Sequence, residues 1–189
     1  MSGEFLGDRR RALEEAFFAQ QDLILRRRLA EPDEALARRE SLAAASGISD
    51  TAVLDQLMKL DIGPETMAAI SLVPLVVVAW ADGAIDTRER QAVLAGASES
   101  GLKSQDVGYQ LLEKWLESPP PPSLLSTWKG YISAVTHGMD STGKQALQAQ
   151  LLDRARVVAA AAGGFLGLGR RVSAEEEAVL TDLAGAFAT

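Results

Sequence analysis

The segment Met67–Ala81, MAAISLVPLVVVAWA, carries no charged residue and narrows the range of folds open to this chain more than any other stretch. It is fifteen residues long and contains Pro74. A membrane-spanning helix needs about 20 apolar residues, so we expect no membrane span here. A helix that is apolar on all sides belongs instead in the core of a globular protein. The segment therefore predicts a buried helix over residues 65–81.

The rest of the chain also has the periodicity of helices. Apolar residues recur at three- and four-residue spacing, and no run alternates apolar and polar residues for long. Alanine is abundant, and aromatic residues make up only 5% of the sequence. The pattern predicts an all-α protein, a compact bundle of about eight to nine helices.

Composition excludes several classes of function. The 189 residues include no cysteine, which excludes disulfides, thiolate metal sites and a thiol nucleophile. The net charge of −7 argues against a nucleic-acid-binding protein, because such a protein needs a basic face. The first residues include Glu4 and Asp8 and no long apolar run, unlike a signal peptide. We expect a cytoplasmic protein.

Two predicted helix starts share one pattern. Asp86 and Ser173 are helix-capping residue types, and a glutamate, Glu89 or Glu176, follows each of them three positions later. This is the spacing of a capping box, in which the glutamate side chain returns to the N–H group of the cap. An apolar helix and a glycine-containing turn precede each start. The repetition predicts two similar halves, each consisting of a buried helix, a turn and an amphipathic helix.

The first of these turns is also rich in acids. Asp82, Asp86 and Glu89 lie within eight residues, and carboxylates are ligands that calcium and magnesium prefer. Capping explains Asp86 and Glu89 without a metal ion, since the helix dipole favours acids at an N-terminus. Asp82 has no such explanation, because it follows the buried helix and lies at its unfavourable end. Either a cation, a basic side chain or a backbone N–H group must compensate it.

A glycine-rich segment further along has the spacing of a phosphate-binding loop. The segment is GFLGLGRR, Gly164–Arg171. Phosphate chemistry requires a lysine and a hydroxyl residue where this chain has two arginines, and no strand precedes the segment. Close packing of helices is therefore the favoured interpretation.

His137 is the only histidine. Ser133 and Asp140 are near it in sequence, but a hydrolytic triad is recognised by geometry and the usual motif around the serine is missing. A histidine directly before Gly138 favours a role at the C-terminal end of a helix.

Arginine triplets mark the N-terminal region, at Arg9–Arg11 and Arg26–Arg28. They belong to a predicted helix, Gly7–Ala30, that also carries acids, so a solvated, salt-bridged face is the simplest interpretation. The alternative is a helical arm that docks on an acidic partner, including a second copy of this protein. The aromatic pair Phe17-Phe18 would then supply an apolar anchor.

The turn after the apolar helix resembles a known family. The residues VAWADGAIDTRERQAV follow the pattern A-x-A-D-G-x-[IV]-x-x-x-E, which is similar to the first signature of the TerB-like (tellurite-resistance B) superfamily. The segment VSAEEEAVL, Val172–Leu180, resembles its second copy. The resemblance covers about residues 65–187. It implies a domain over residues 63–189, preceded by a helical extension over residues 1–62.

The resemblance also implies a function. Proteins of this family have two similar helical halves and an acidic surface associated with divalent metals, and they act in stress responses or as interaction modules. Carried over, the pattern assigns Asp82, Asp86 and Glu89 as metal ligands in the first half. In the second half only Glu176 matches, because Gly169 and Ser173 stand in the places of the two aspartates.

Two functions follow as hypotheses. The first is a non-enzymatic helical module that binds protein partners, with weak Ca²⁺ or Mg²⁺ binding at Asp82, Asp86 and Glu89. The alternative is a metal-dependent hydrolase that uses the same acids, which would require a concave pocket and a base. Self-association through the N-terminal helix is the partner interaction that the sequence suggests.

Overall fold

The computed structural model describes residues 31–162 and 172–188. The chain divides into two compact units, Met1–Glu40 and Ser41–Thr189. In the smaller unit, the described residues 31–40 are helical. The predicted helix over residues 7–30 and the segment GFLGLGRR lie outside the described residues.

The described residues form nine helices and no strand, which confirms the predicted all-α bundle. Residues 31–46 are helical and are called α1. The others are α2 (Thr51–Lys59), α3 (Met67–Ile70), α4 (Val73–Ala79), α5 (Thr87–Glu99), α6 (Val107–Glu117), α7 (Ser123–Thr136), α8 (Ser141–Ala162) and α9 (Ala174–Gly185). None of the described helices is long and apolar enough to cross a membrane.

The apolar segment is buried as predicted, but it is not one helix. It forms α3 and α4, which are separated by a turn at Ser71 and Leu72. Pro74 is the cause, because it has no N–H group to donate to the carbonyl of Ile70 and its ring clashes with that carbonyl. Proline is tolerated in the first turn of a helix, and α4 accordingly begins at Val73, one residue before it.

Helix α4 and helix α8 lie at the centre of the larger unit. Helix α4 packs against α5, α7, α8 and α9, and α8 also packs against α5 and α9. Helices α4 and α8 and the helices that follow them, α5 and α9, thus form one bundle. The buried side chains of α8 are Leu151, Leu152, Ala155, Val158 and Ala159.

The remaining helices extend this core. Helix α3 packs against α6, and α2 packs against α7. The side chains of Leu54 and Leu57 on α2 are almost completely buried. Residues 41–62 therefore belong to the larger compact unit, whereas the resemblance grouped them with the N-terminal extension.

Candidate functional site

The acidic turn between α4 and α5 contains the capping box that the sequence predicts. Asp86 Oδ1 accepts the N–H groups of Arg88 and Glu89 at 2.7 and 2.8 Å. In return, Glu89 Oε2 accepts the N–H group of Asp86 at 2.8 Å. Two predicted metal ligands are thus engaged with the backbone at the start of α5.

The start of α9 repeats this arrangement with a serine as the cap. Glu176 donates its N–H group to Ser173 Oγ at 3.1 Å, and Glu176 Oε2 accepts the N–H group of Ser173 at 2.6 Å. Both capping boxes that the sequence predicts are therefore confirmed.

The negative charge of Asp82, at the unfavourable end of the buried helix, is compensated by a backbone N–H group. Its Oδ1 atom accepts the N–H group of Ala84 at 3.0 Å. This contact requires a tight turn, and Gly83 supplies it with a φ of 87°, a left-handed conformation that glycine adopts without strain. The side chain of Asp82 is exposed at the surface of the turn.

The turn is held against the C-terminal end of α6 on both sides. Trp80 donates its Nε1–H group to the carbonyl of Trp115 at 2.9 Å. Arg90, in the first turn of α5, donates to the carbonyl of Leu116 at 3.2 Å. A cation at the last carbonyls of a helix is favoured by the helix dipole. These contacts fix the position of the acidic turn relative to the core.

The negative charge of Glu176 acts on the other capping glutamate, Glu89, an interaction that the sequence does not predict. The side chains of Glu89 and Glu176 are each only 5% exposed. Burial raises the pKa of the Glu89 carboxyl, and the negative charges of Asp86, Asp82 and Glu176 raise it further, while the hydrogen bond from the Asp86 N–H group acts in the opposite direction. The charges of Asp82, Asp86 and Glu176 thus all act on Glu89, and we call these four acids the acidic cluster.

The raised pKa of Glu89 predicts a dependence of stability on pH. The protonated carboxyl is the form that the fold favours, so its stabilising contribution is complete below the pKa of the unfolded chain and is lost as the pH rises through the higher folded-state pKa. Glu89→Gln has no charge and keeps an oxygen for the Asp86 N–H group. We expect the stability of this variant relative to wild type to increase from about pH 4 to pH 7.

Urea denaturation of both proteins across this pH range measures the difference. Glu177→Gln is the matched control, because Glu177 also lies in the first turn of a capped helix but is exposed. A stability difference between Glu89→Gln and wild type that stays constant with pH would contradict the prediction.

The geometry does not gather the predicted ligands into a metal centre. Among the described residues, no group of three or more histidine, cysteine, aspartate or glutamate side chains is placed to hold a metal ion. Asp82, Asp86 and Glu89 each accept at least one backbone N–H group instead. Metal binding at these residues stays a prediction.

His137 lies in a different part of the fold. It lines a groove of about 460 Å³ between α7 and the residues leading into α2, together with Ser133 and Asp50. Asp140, the acid nearest in sequence, instead accepts the N–H group of Gly143 at 2.7 Å at the start of α8. His137 follows the last residue of α7, as its sequence context predicts.

Comparisons with protein-family models, with curated proteins and with solved structures give no match to this chain. The TerB-like resemblance therefore rests on the residues of the acidic turn and on the second capping box.

Proposed function

We propose that this protein is a non-enzymatic helical interaction module of TerB-like type, in which the acidic cluster binds a divalent cation weakly. The observation that carries the proposal is the acidic turn itself, where the carboxylates of Asp82 and Asp86 are exposed and each has one oxygen engaged by the backbone. The charges of both residues, and that of Glu176 at the start of α9, also act on Glu89 at the start of α5.

The chemistry of the cluster favours a hard cation. Asp82 and Asp86 are exposed, and one oxygen of each is engaged by the backbone. Calcium and magnesium accept ligand shells composed of carboxylate oxygens, backbone carbonyls and water. Burial raises the pKa of Glu89 most, and repulsion by neighbouring carboxylates raises it further. A bound cation would reduce that repulsion.

The same contacts limit the affinity. The carboxylates are committed to N–H groups of the turn and of two helix starts, so a cation gains only their remaining oxygens and keeps much of its water. We therefore expect dissociation constants in the range of about 0.1–1 mM, typical of weak calcium modules.

Isothermal titration calorimetry with Ca²⁺ and Mg²⁺ tests this proposal. Wild type is expected to bind at least one of the ions, and Asp82→Asn is expected to weaken binding about tenfold, equivalent to roughly 1.4 kcal/mol. The asparagine keeps an oxygen for the Ala84 N–H group, so the turn is retained while the charge is removed.

Asp140→Asn is the matched control, because Asp140 is also exposed and also accepts a backbone N–H group through Oδ1. It is expected to bind cations as wild type does. Equal weakening in both variants would point to general charge effects, and absence of binding in wild type would remove the cation from the proposal.

A further inference from the structure

Two grooves meet on the outer side of α7. The first is the 460 Å³ groove between α7 and the segment Gly47–Asp50. The second, of about 430 Å³, lies between α7 and the last turn of α9, where Gly185 and Ala186 form its wall. Gly130 and Ser133 line both grooves, so α7 forms a low ridge between them. We call this continuous surface the α7 saddle.

Gly130 has no side chain, so α7 does not protrude between the two grooves at this position. The internal packing of the fold does not require a glycine there. A Cβ atom at this position would lie 3.7 Å from Val53 Cγ2 and 3.9 Å from Gln56 Oε1, which are ordinary contact distances. Glycine inside a helix is less stable than alanine by about 0.5–1 kcal/mol. A glycine at this position also leaves space for another backbone to approach α7 closely.

The electrostatics of the first groove favour a basic occupant, whereas in the second groove Lys129 forms an ion pair with Asp182 at 2.5 Å. Asp50 lies in the first groove, and only its Oδ1 atom is used to cap α2, accepting the N–H groups of Ala52 and Val53. The last turn of α7, whose carbonyl end carries partial negative charge, borders the same groove. The larger unit has eleven basic and seventeen acidic residues over positions 41–189, a net charge of −6.

We propose that the α7 saddle is the docking surface for an arginine-bearing segment of a second copy of this chain. Residues 1–40 contain eight of the nineteen basic residues of the chain, all of them arginine and six of them in two triplets. A guanidinium group can bind the open oxygen of Asp50 and the carbonyl end of α7 together, because it presents several donors in one plane. Gly130 and Ser133 let the backbone of that segment approach α7.

This inference rests on the proposed interaction function but not on its cation. It assigns a surface formed by α2, α7 and α9, which contains none of the acids of the acidic cluster. If calorimetry detects no cation binding, the inference about the α7 saddle is unaffected. If the chain does not associate, the proposed cation binding is likewise unaffected.

Sedimentation velocity of the full chain over a range of concentrations and salt concentrations tests the inference. Wild type is expected to associate, and association is expected to weaken with added salt because the contacts are ionic. Gly130→Gln, which fills the groove beside Val53, is expected to weaken association about tenfold or more. Asp50→Asn keeps an N-cap oxygen and is expected to weaken association and its dependence on salt.

Controls separate docking from folding. Asp140→Asn repeats the loss of charge at another helix cap, and Ala146→Gln adds the same side chain at an exposed position of α8. Both are expected to associate as wild type does. Gly130→Ala is expected to raise the melting temperature, which shows that the helix tolerates a side chain there.

Two results would overturn the inference. One is a wild-type chain that stays monomeric at every concentration. The other is association that persists unchanged in both Gly130→Gln and Asp50→Asn, which would place the contact on another surface. If Gly130→Gln does not fold, Asp50→Asn alone decides the outcome.

Discussion

A chain that begins at Ser41 is expected to fold, whereas a chain that begins at Gly63 is expected to remain unfolded. The reason is the position of the core within the larger unit, Ser41–Thr189. Six large apolar side chains of residues 41–62 are at most 9% exposed, namely Leu42, Ile48, Val53, Leu54, Leu57 and Ile62.

The apolar burial lost with residues 41–62 decides whether the chain that begins at Gly63 can fold. Full burial of one such side chain contributes about 1.5–3 kcal/mol, so the six together contribute at least about 9 kcal/mol. The net stability of a domain is about 5–15 kcal/mol, so the burial lost by the deletion is comparable with the whole net stability. Deletion of residues 41–62 would also uncover the faces of α7 that α2 covers.

Circular dichroism and urea denaturation of the two truncated chains measure the difference. The chain over residues 41–189 is expected to show a cooperative transition, and the chain over residues 63–189 is expected to show none. Cooperative unfolding of the shorter chain with near-native stability would mean that the core is complete without α2. It would also support the domain boundary that the TerB-like resemblance implies.

Local chemistry explains why much of the fold was predictable. The starts of α5 and α9 depend on side chains within three residues of each cap, and both capping boxes are present at the predicted positions. The turn at Gly83 is equally local, since a left-handed residue after an apolar helix favours glycine. Interactions between residues within one helical turn can therefore be predicted from a single sequence.

Contacts between distant segments were not predictable in the same way. The sequence places Glu89 and Glu176 in equivalent roles, but only the packing of α4, α5, α8 and α9 determines that the charge of Glu176 acts on Glu89. His137 likewise shares its groove with Asp50, which belongs to a segment distant in sequence. The prediction of a single helix over residues 65–81 is wrong for a local reason. Pro74 ends one helix at Ile70 and starts another at Val73.

Replacement of Trp128 tests the effect of a buried hydrogen-bond donor that has no acceptor. Its side chain is fully buried on α7 and packs edge to face against Phe187, with ring centroids 6.2 Å apart. Within the part of the chain that the structure describes, its Nε1–H group is the one buried side-chain polar group without a hydrogen-bond partner. A buried donor that lacks an acceptor destabilises a fold by about 1–3 kcal/mol.

Trp128→Phe is therefore expected to change the free energy of unfolding by less than about 1 kcal/mol, because relief of the unsatisfied donor offsets the lost packing. Trp128→Ala is expected to destabilise the fold by about 3–5 kcal/mol, since it removes the ring and leaves a cavity. Urea denaturation measures both values, and hydrogen exchange of the indole N–H group in wild type reports its protection. A loss of about 3 kcal/mol or more in Trp128→Phe would contradict the prediction, because relief of the unsatisfied donor would then not offset the lost packing. The phenylalanine ring keeps an aromatic group beside Phe187 and removes both the donor and the second ring, so the measured value is the balance of the two effects.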